Sequence, residues 1–86
     1  MNVDYLWDLD DDPRGNVEKL RQHGLTPEDA MYVIEGVGRD EIDASRSSDR
    51  PIVFGETEDG RFVAVVFEWA DDDLIYVVTG FCPTEA

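Results

Sequence analysis

Basic residues are what this chain has least of. Seven Lys and Arg stand against 21 Asp and Glu in 86 residues, for a formal charge of −14. The deficit is uneven: residues 1–12 hold five acids and no base, residues 40–86 hold twelve acids against three bases, and residues 13–39 balance at four of each. Affinity for a nucleic-acid backbone comes mostly from Lys and Arg that displace condensed counterions, so this chain is expected not to bind RNA or DNA, nor an anionic membrane surface. Cationic partners are electrostatically easier, and acidity alone also serves solubility. Cysteine is almost missing: Cys82 stands alone, which excludes an internal disulfide, and with His23 as the single histidine no soft-ligand zinc site can assemble. No cofactor is implied. Long apolar runs are absent, which excludes a spanning helix of roughly 20 residues, and the N-terminus has neither the basic nor the apolar region of an export signal; a cytoplasmic location is expected.

What is present is a pattern fit for one small core. Hydrophobic residues make up 42% of the chain and cluster in β-branched and aromatic runs, unlike an acidic disordered tail. Residues 1–86 are read as a single domain. Val3-Asp4-Tyr5-Leu6-Trp7 reads as a short strand, broken by the tract from Asp8 to Pro13. A helix follows, capped by Asp12 with Pro13 in its first turn, or else by Asn16 after a turn at Arg14-Gly15; Gly24 stops it. Thr26-Pro27-Glu28-Asp29 is a complete capping-box start for a second helix, running from Pro27 to about Glu35 and ended by Gly36 and Gly38. Residues 39–48 read as polar and irregular, with Ile42 and Ala44 as anchors for a short strand. Two hairpins follow. One turns at Asp59-Gly60, expected as type I′, and the other at Asp71-Asp72-Asp73. The predicted fold is α+β: two N-terminal helices on one face of a mainly antiparallel, four- to five-stranded sheet, in the order β-α-α-β-β-β-β. Val63 to Val66 alternates poorly, as a central strand covered on both faces does, which implies a homodimer or a packed C-terminus.

Few residues carry chemistry. His23 suits general-base work near neutral pH, or equally the capping of carbonyls at a helix C-terminus. Arg46, Ser47, Ser48 and Arg50 form a cluster that could hold a phosphate or carboxylate, with Arg61 or His23 completing it; turn chemistry explains the serines as well. Asp8, Asp10 and Asp12 alternate as in a calcium loop, yet Pro13 stands where that loop needs glycine and Lys19 where it needs a bidentate Glu, so no metal site is expected. Trp69 at a strand end is a candidate partner anchor, or a buried sheet-end residue.

Trp7-Asp8, followed by His23-Gly24-Leu25-Thr26-Pro27-Glu28-Asp29-Ala30, resembles the pattern of the BrnT-type toxins of the RelE-like ribonuclease superfamily. Arg50 to Thr57, Gly60-Arg61 and Val77-Val78-Thr79 are similar to that family's three-strand meander. The resemblance implies a bacterial origin and kinship to toxins that cleave RNA and are held by a ribbon-helix-helix antitoxin. The departures are chemical. Trp7 lies sixteen residues before His23, a longer interval than the family's, filled in part by Asp10-Asp11-Asp12. Where the resemblance implies phosphate-binding arginines, this chain has Glu56 and Phe81. The expected protein is therefore a catalytically degenerate member acting through protein contacts. A ribonuclease toxin built on His23, Arg46, Arg50 and Arg61 is the alternative, and an acidic module that mimics nucleic acid or binds a basic protein is another.

Overall fold

The computed structural model describes residues 3–47, 49 and 51–83. In chain order these form β1 (Asp4–Leu6), α1 (Asn16–Arg21), α2 (Pro27–Val37), α3 (Arg39–Ala44), a 3-10 turn (Ser45–Ser47), β2 (Ile52–Glu56), β3 (Phe62–Asp71) and β4 (Leu74–Phe81). The sheet has four strands in the spatial order β1-β4-β3-β2. The β2–β3 and β3–β4 pairs are antiparallel, while β1 runs parallel to β4, so the sheet is mixed. The α+β class expected from the sequence is what the molecule has.

Alternation sorts the side chains. Val63, Val65 and Phe67 of β3 join Val53, Ile75 and Val77 in a buried cluster with Leu20, Leu25, Ala30, Val33, Ile34 and Ile42 from the helical layer. Val66 pairs with Thr79 and Phe67 with Val77, leaving Val78 as an extra residue on β4. That bulge lets both Val77 and Gly80 face the helices. Gly80 is needed there because α1 comes so close: a Cβ at this position would lie 2.9 Å from Leu20 Cδ2 and 3.2 Å from Leu25 Cδ1.

Among the described residues no helix covers the opposite face. Ala64 and Val66 point to it and are nonetheless buried, because their cross-strand neighbours Phe54 and Phe81, and Ile52 and Thr79, lean over them. Within the described residues these four neighbours already account for the burial of Ala64 and Val66. Ile52, Phe54 and Phe62 remain 41–49% exposed.

Local signals set most boundaries. Thr26 accepts from the Asp29 N–H at 3.2 Å while the Asp29 carboxylate accepts from the Thr26 N–H at 3.0 Å, the reciprocal box that starts α2. Three expectations are corrected. Gly36 does not end α2; the helix continues to Val37 and stops at Gly38, whose φ of 87° other residues resist. Residues 39–44 are helical rather than a strand, with Ile42 alone turned into the core. The β2–β3 turn is not type I′, since Asp59 does not take positive φ: the Gly60 N–H donates to the Thr57 carbonyl at 2.9 Å and Gly60 alone has φ of 89°. This is the three-residue hairpin in which a β-turn precedes a left-handed glycine.

Two alanine substitutions separate these environments. Gly80→Ala is expected to lose about 1–3 kcal/mol through overpacking against α1. Gly36→Ala, inside α2 with nothing within 4 Å of the new methyl group, is expected to gain about 0.5–1 kcal/mol. Urea unfolding of both variants checks the pair; equal effects contradict the packing described.

Candidate functional site

Among the described residues, the basic and aromatic candidates Arg46, Arg61 and Trp69 do not form one site. Arg46 lies over the Trp69 ring at 3.6 Å, bonds the Asp43 carboxylate at 3.2 Å and donates to the Asp72 carbonyl at 2.5 Å. Trp69 is half-buried, meets Phe67 edge-on and donates through Nε1 to Ser45 Oγ at 3.4 Å, so its ring is roofed by Arg46 rather than offered to solvent. Ser47 Oγ donates to the Ala44 carbonyl at 3.3 Å, a helix-end contact. Ser48 and Arg50 lie outside the described residues. Arg61 precedes the other end of β3, eight residues before Trp69 and so roughly 26 Å away along the strand. It bonds Asp59 at 3.1 Å, Asp29 at 3.2 Å and the Gly24 carbonyl at 2.8 Å, tying the β2–β3 loop to the start of α2. Arg46 and Arg61 thus serve opposite ends of the sheet.

One end does gather several of the residues. His23 is exposed just past α1, its ring 6.4 Å from that of Phe81. Phe81 pairs with Ala64, and Glu56 pairs with Phe62 two residues away on the same strand and the same open face. The two positions likened to phosphate-binding arginines therefore occupy one end of one face, and they carry a carboxylate and an apolar ring. Among the described residues, Arg21, Arg39, Arg46 and Arg61 each sit within 3.2 Å of a carboxylate oxygen. None of these guanidiniums is held in reserve for an anion.

A polar junction at Asp8 links three parts of the chain, and sequence reading missed it. Asp8 Oδ2 accepts from the Tyr76 hydroxyl at 2.6 Å and from the Asn16 N–H at 2.9 Å. The fully buried Asn16 side chain accepts from the Asp8 N–H at 2.9 Å and donates to the Leu6 carbonyl at 3.0 Å. Asp8 thereby caps α1 from eight residues upstream, in place of the Asp12 or Asn16 caps expected, and Gly15 leaves the room it needs. The hydroxyl and amide donors hold the Asp8 carboxyl below its ordinary value, and the carboxylate in turn pushes Tyr76 up to about 12. Tyr5 is also raised, by burial and by the Glu35 carboxylate at 3.2 Å. With Oδ2 accepting from both Tyr76 and Asn16, Asp8 is a structural junction; no local motif announces it.

Three shallow cavities are acid-rich. One of about 290 Å³ lies between α2 and the β2–β3 loop, lined by Glu28, Tyr32, Glu35 and Glu58 among others; one of about 450 Å³ is bounded by Asp4 and Asp71 to Asp73; one of about 280 Å³ lies beside Arg46 and Trp69. Among the described residues no group of three or more His, Cys, Asp or Glu is placed to hold a metal ion. No helix among them is long and apolar enough to cross a membrane. Comparison of the chain with protein-family models, curated protein sequences and solved structures returns no match.

The Asp8 junction makes stability sensitive at both pH extremes. Asp8, Asp43 and Asp59 are all held below the ordinary 3.8, by Tyr76, Arg39 and Thr57 respectively. Their contribution is complete above that value and is lost as pH falls through the lower folded values. Tyr76 has the reverse sign: its contribution is complete below the ordinary 10.0 and is lost as pH rises towards about 12. Melting temperature should therefore drop below pH ~4 and above pH ~10. Tyr76→Phe should flatten the alkaline limb and Asp8→Asn the acid limb, while Asn16→Ala should cost about 1–3 kcal/mol at neutral pH by leaving main-chain groups unpaired. A pH series of thermal melts checks all three.

Proposed function

We propose that this chain is a small, catalytically silent relative of the BrnT-type, RelE-like ribonucleases, bacterial and cytoplasmic, that works through contact with another protein. The observation that carries the reading is the end of the open face where Glu56 and Phe81 lie. Phosphoryl chemistry depends on preorganised positive charge at the scissile group, and a carboxylate at that place opposes it. Arg21, Arg39, Arg46 and Arg61 are already paired with Asp or Glu, and the net charge of −14 removes the long-range attraction that would bring RNA in. The strand, then helices, then three-strand meander is compatible with the kinship suggested by the sequence resemblance.

A ribonuclease toxin remains the second reading. It is favoured by one observation: His23 is exposed beside Phe81, and Arg61 precedes β3 at the same end of the sheet. Inducing the protein in bacteria, together with an RNA-cleavage gel on purified protein, decides between them. The proposed reading expects normal growth and intact RNA. Growth arrest with cleavage, both lost in His23→Ala, would reverse it in favour of the toxin.

A further inference from the structure

The two edges of the sheet differ. β1 is three residues long and carries Asp4, a short charged edge of the kind that resists pairing. β2 is five residues long and apolar from Ile52 to Gly55, with its one charge, Glu56, at its end. The Thr57 N–H donates to the Arg61 carbonyl at 2.9 Å and the Phe67 N–H to the Pro51 carbonyl at 3.0 Å. The unbroken register between them fixes the phase of the ladder: Val53 and Gly55 bond to β3, and the N–H and C=O groups of Ile52, Phe54 and Glu56 point away from it. Those same three residues place their side chains on the open face. There Phe54 and Phe62 stack with ring centroids 6.1 Å apart, both about half exposed.

The rim of this apolar cluster is negative and unmatched. Glu56 ends β2, Glu58 follows it, and Glu68 stands on the open face beyond Val66. Among the described residues none of the three forms an ion pair, in contrast to Asp29, Asp43, Asp59 and Asp73, each of which has an arginine. Unpaired main chain, exposed aromatics and unneutralised carboxylates therefore coincide at the β2 side of the sheet.

We propose that the outer edge of β2 is a strand-addition site for an extended, cationic segment of another protein, which pairs its main chain with Ile52, Phe54 and Glu56. Apolar side chains of that segment cover Phe54 and Phe62, and its Lys or Arg residues neutralise Glu56, Glu58 and Glu68. Main-chain bonds supply affinity and alternate side chains supply specificity, as in other edge-strand recognition. A second copy of this chain fits less well, because each copy brings a charge of −14 and the same unneutralised rim. The proposal rests on the protein-contact reading above but is tested separately from it, since RNA cleavage and strand addition are read by different assays.

The probe is an acetylated, amidated peptide of four Lys-Val repeats, added to the isotope-labelled full chain and followed by amide NMR and calorimetry. Saturable binding is expected, with the largest shifts at the amides of Ile52, Phe54 and Glu56. Phe54→Ser, a change at an exposed ring, should weaken it about tenfold or more. The fully N-methylated peptide keeps the charge and side chains but has no N–H donors, and should not bind at this edge. Equal binding of the N-methylated peptide, equal binding of a Glu-Val peptide, or shifts confined to Asp71 to Asp73 would overturn the proposal. So would a concentration-dependent dimer that protects the β2 amides, which would make a second copy the occupant.

Discussion

The scarcity of positive charge governs this molecule. With 7 basic residues against 21 acids, each guanidinium that the fold uses as a tie is lost to any ligand. The fold uses them at its joints. Arg39 links α3 to the β3–β4 turn through Asp43 and Asp73, Arg46 clamps the same turn through the Asp72 carbonyl, and Arg61 joins the β2–β3 loop to α2. Exposed ion pairs of this kind contribute little stability individually. Their consequence is positional: hairpin ends are held against helices, and the remaining surface is left strongly negative.

The sheet expresses a second asymmetry. Its helical face is closed by Leu20, Leu25, Val33, Ile34 and Ile42, while its other face is closed only as far as aromatic and branched side chains can lean over Ala64 and Val66. Two of the half-exposed residues that do this covering, Ile52 and Phe54, lie on the edge strand itself. Self-association through such an edge is a general hazard. Here like charge between copies opposes it, each copy carrying a net charge of −14.

Legibility in the sequence followed the range of the interactions. The capping box at Thr26 and Asp29 lies within four residues and was readable, as was the hairpin at Asp71 to Asp73. α3 was not, because its start has Gly38 in place of a capping side chain and its sequence offers a single buried residue, Ile42. The cap of α1 was missed because Asp8 supplies it across an intervening loop, with Tyr76 brought in from the last strand. Of the candidate site residues, Arg46 and Arg61 looked alike as basic side chains flanking apolar strands. Only the length of β3 separates them, and what each one pairs with depends on turns at opposite ends.

Amide hydrogen exchange along β2 tests the account most directly. If this edge is open in the free protein, the N–H groups of Ile52, Phe54 and Glu56 exchange fast while those of Val53, Gly55 and Thr57, bonded to β3, are protected, giving a two-residue alternation of rates. Uniform protection through the strand would contradict it, by showing that the edge is already covered and not available to a partner.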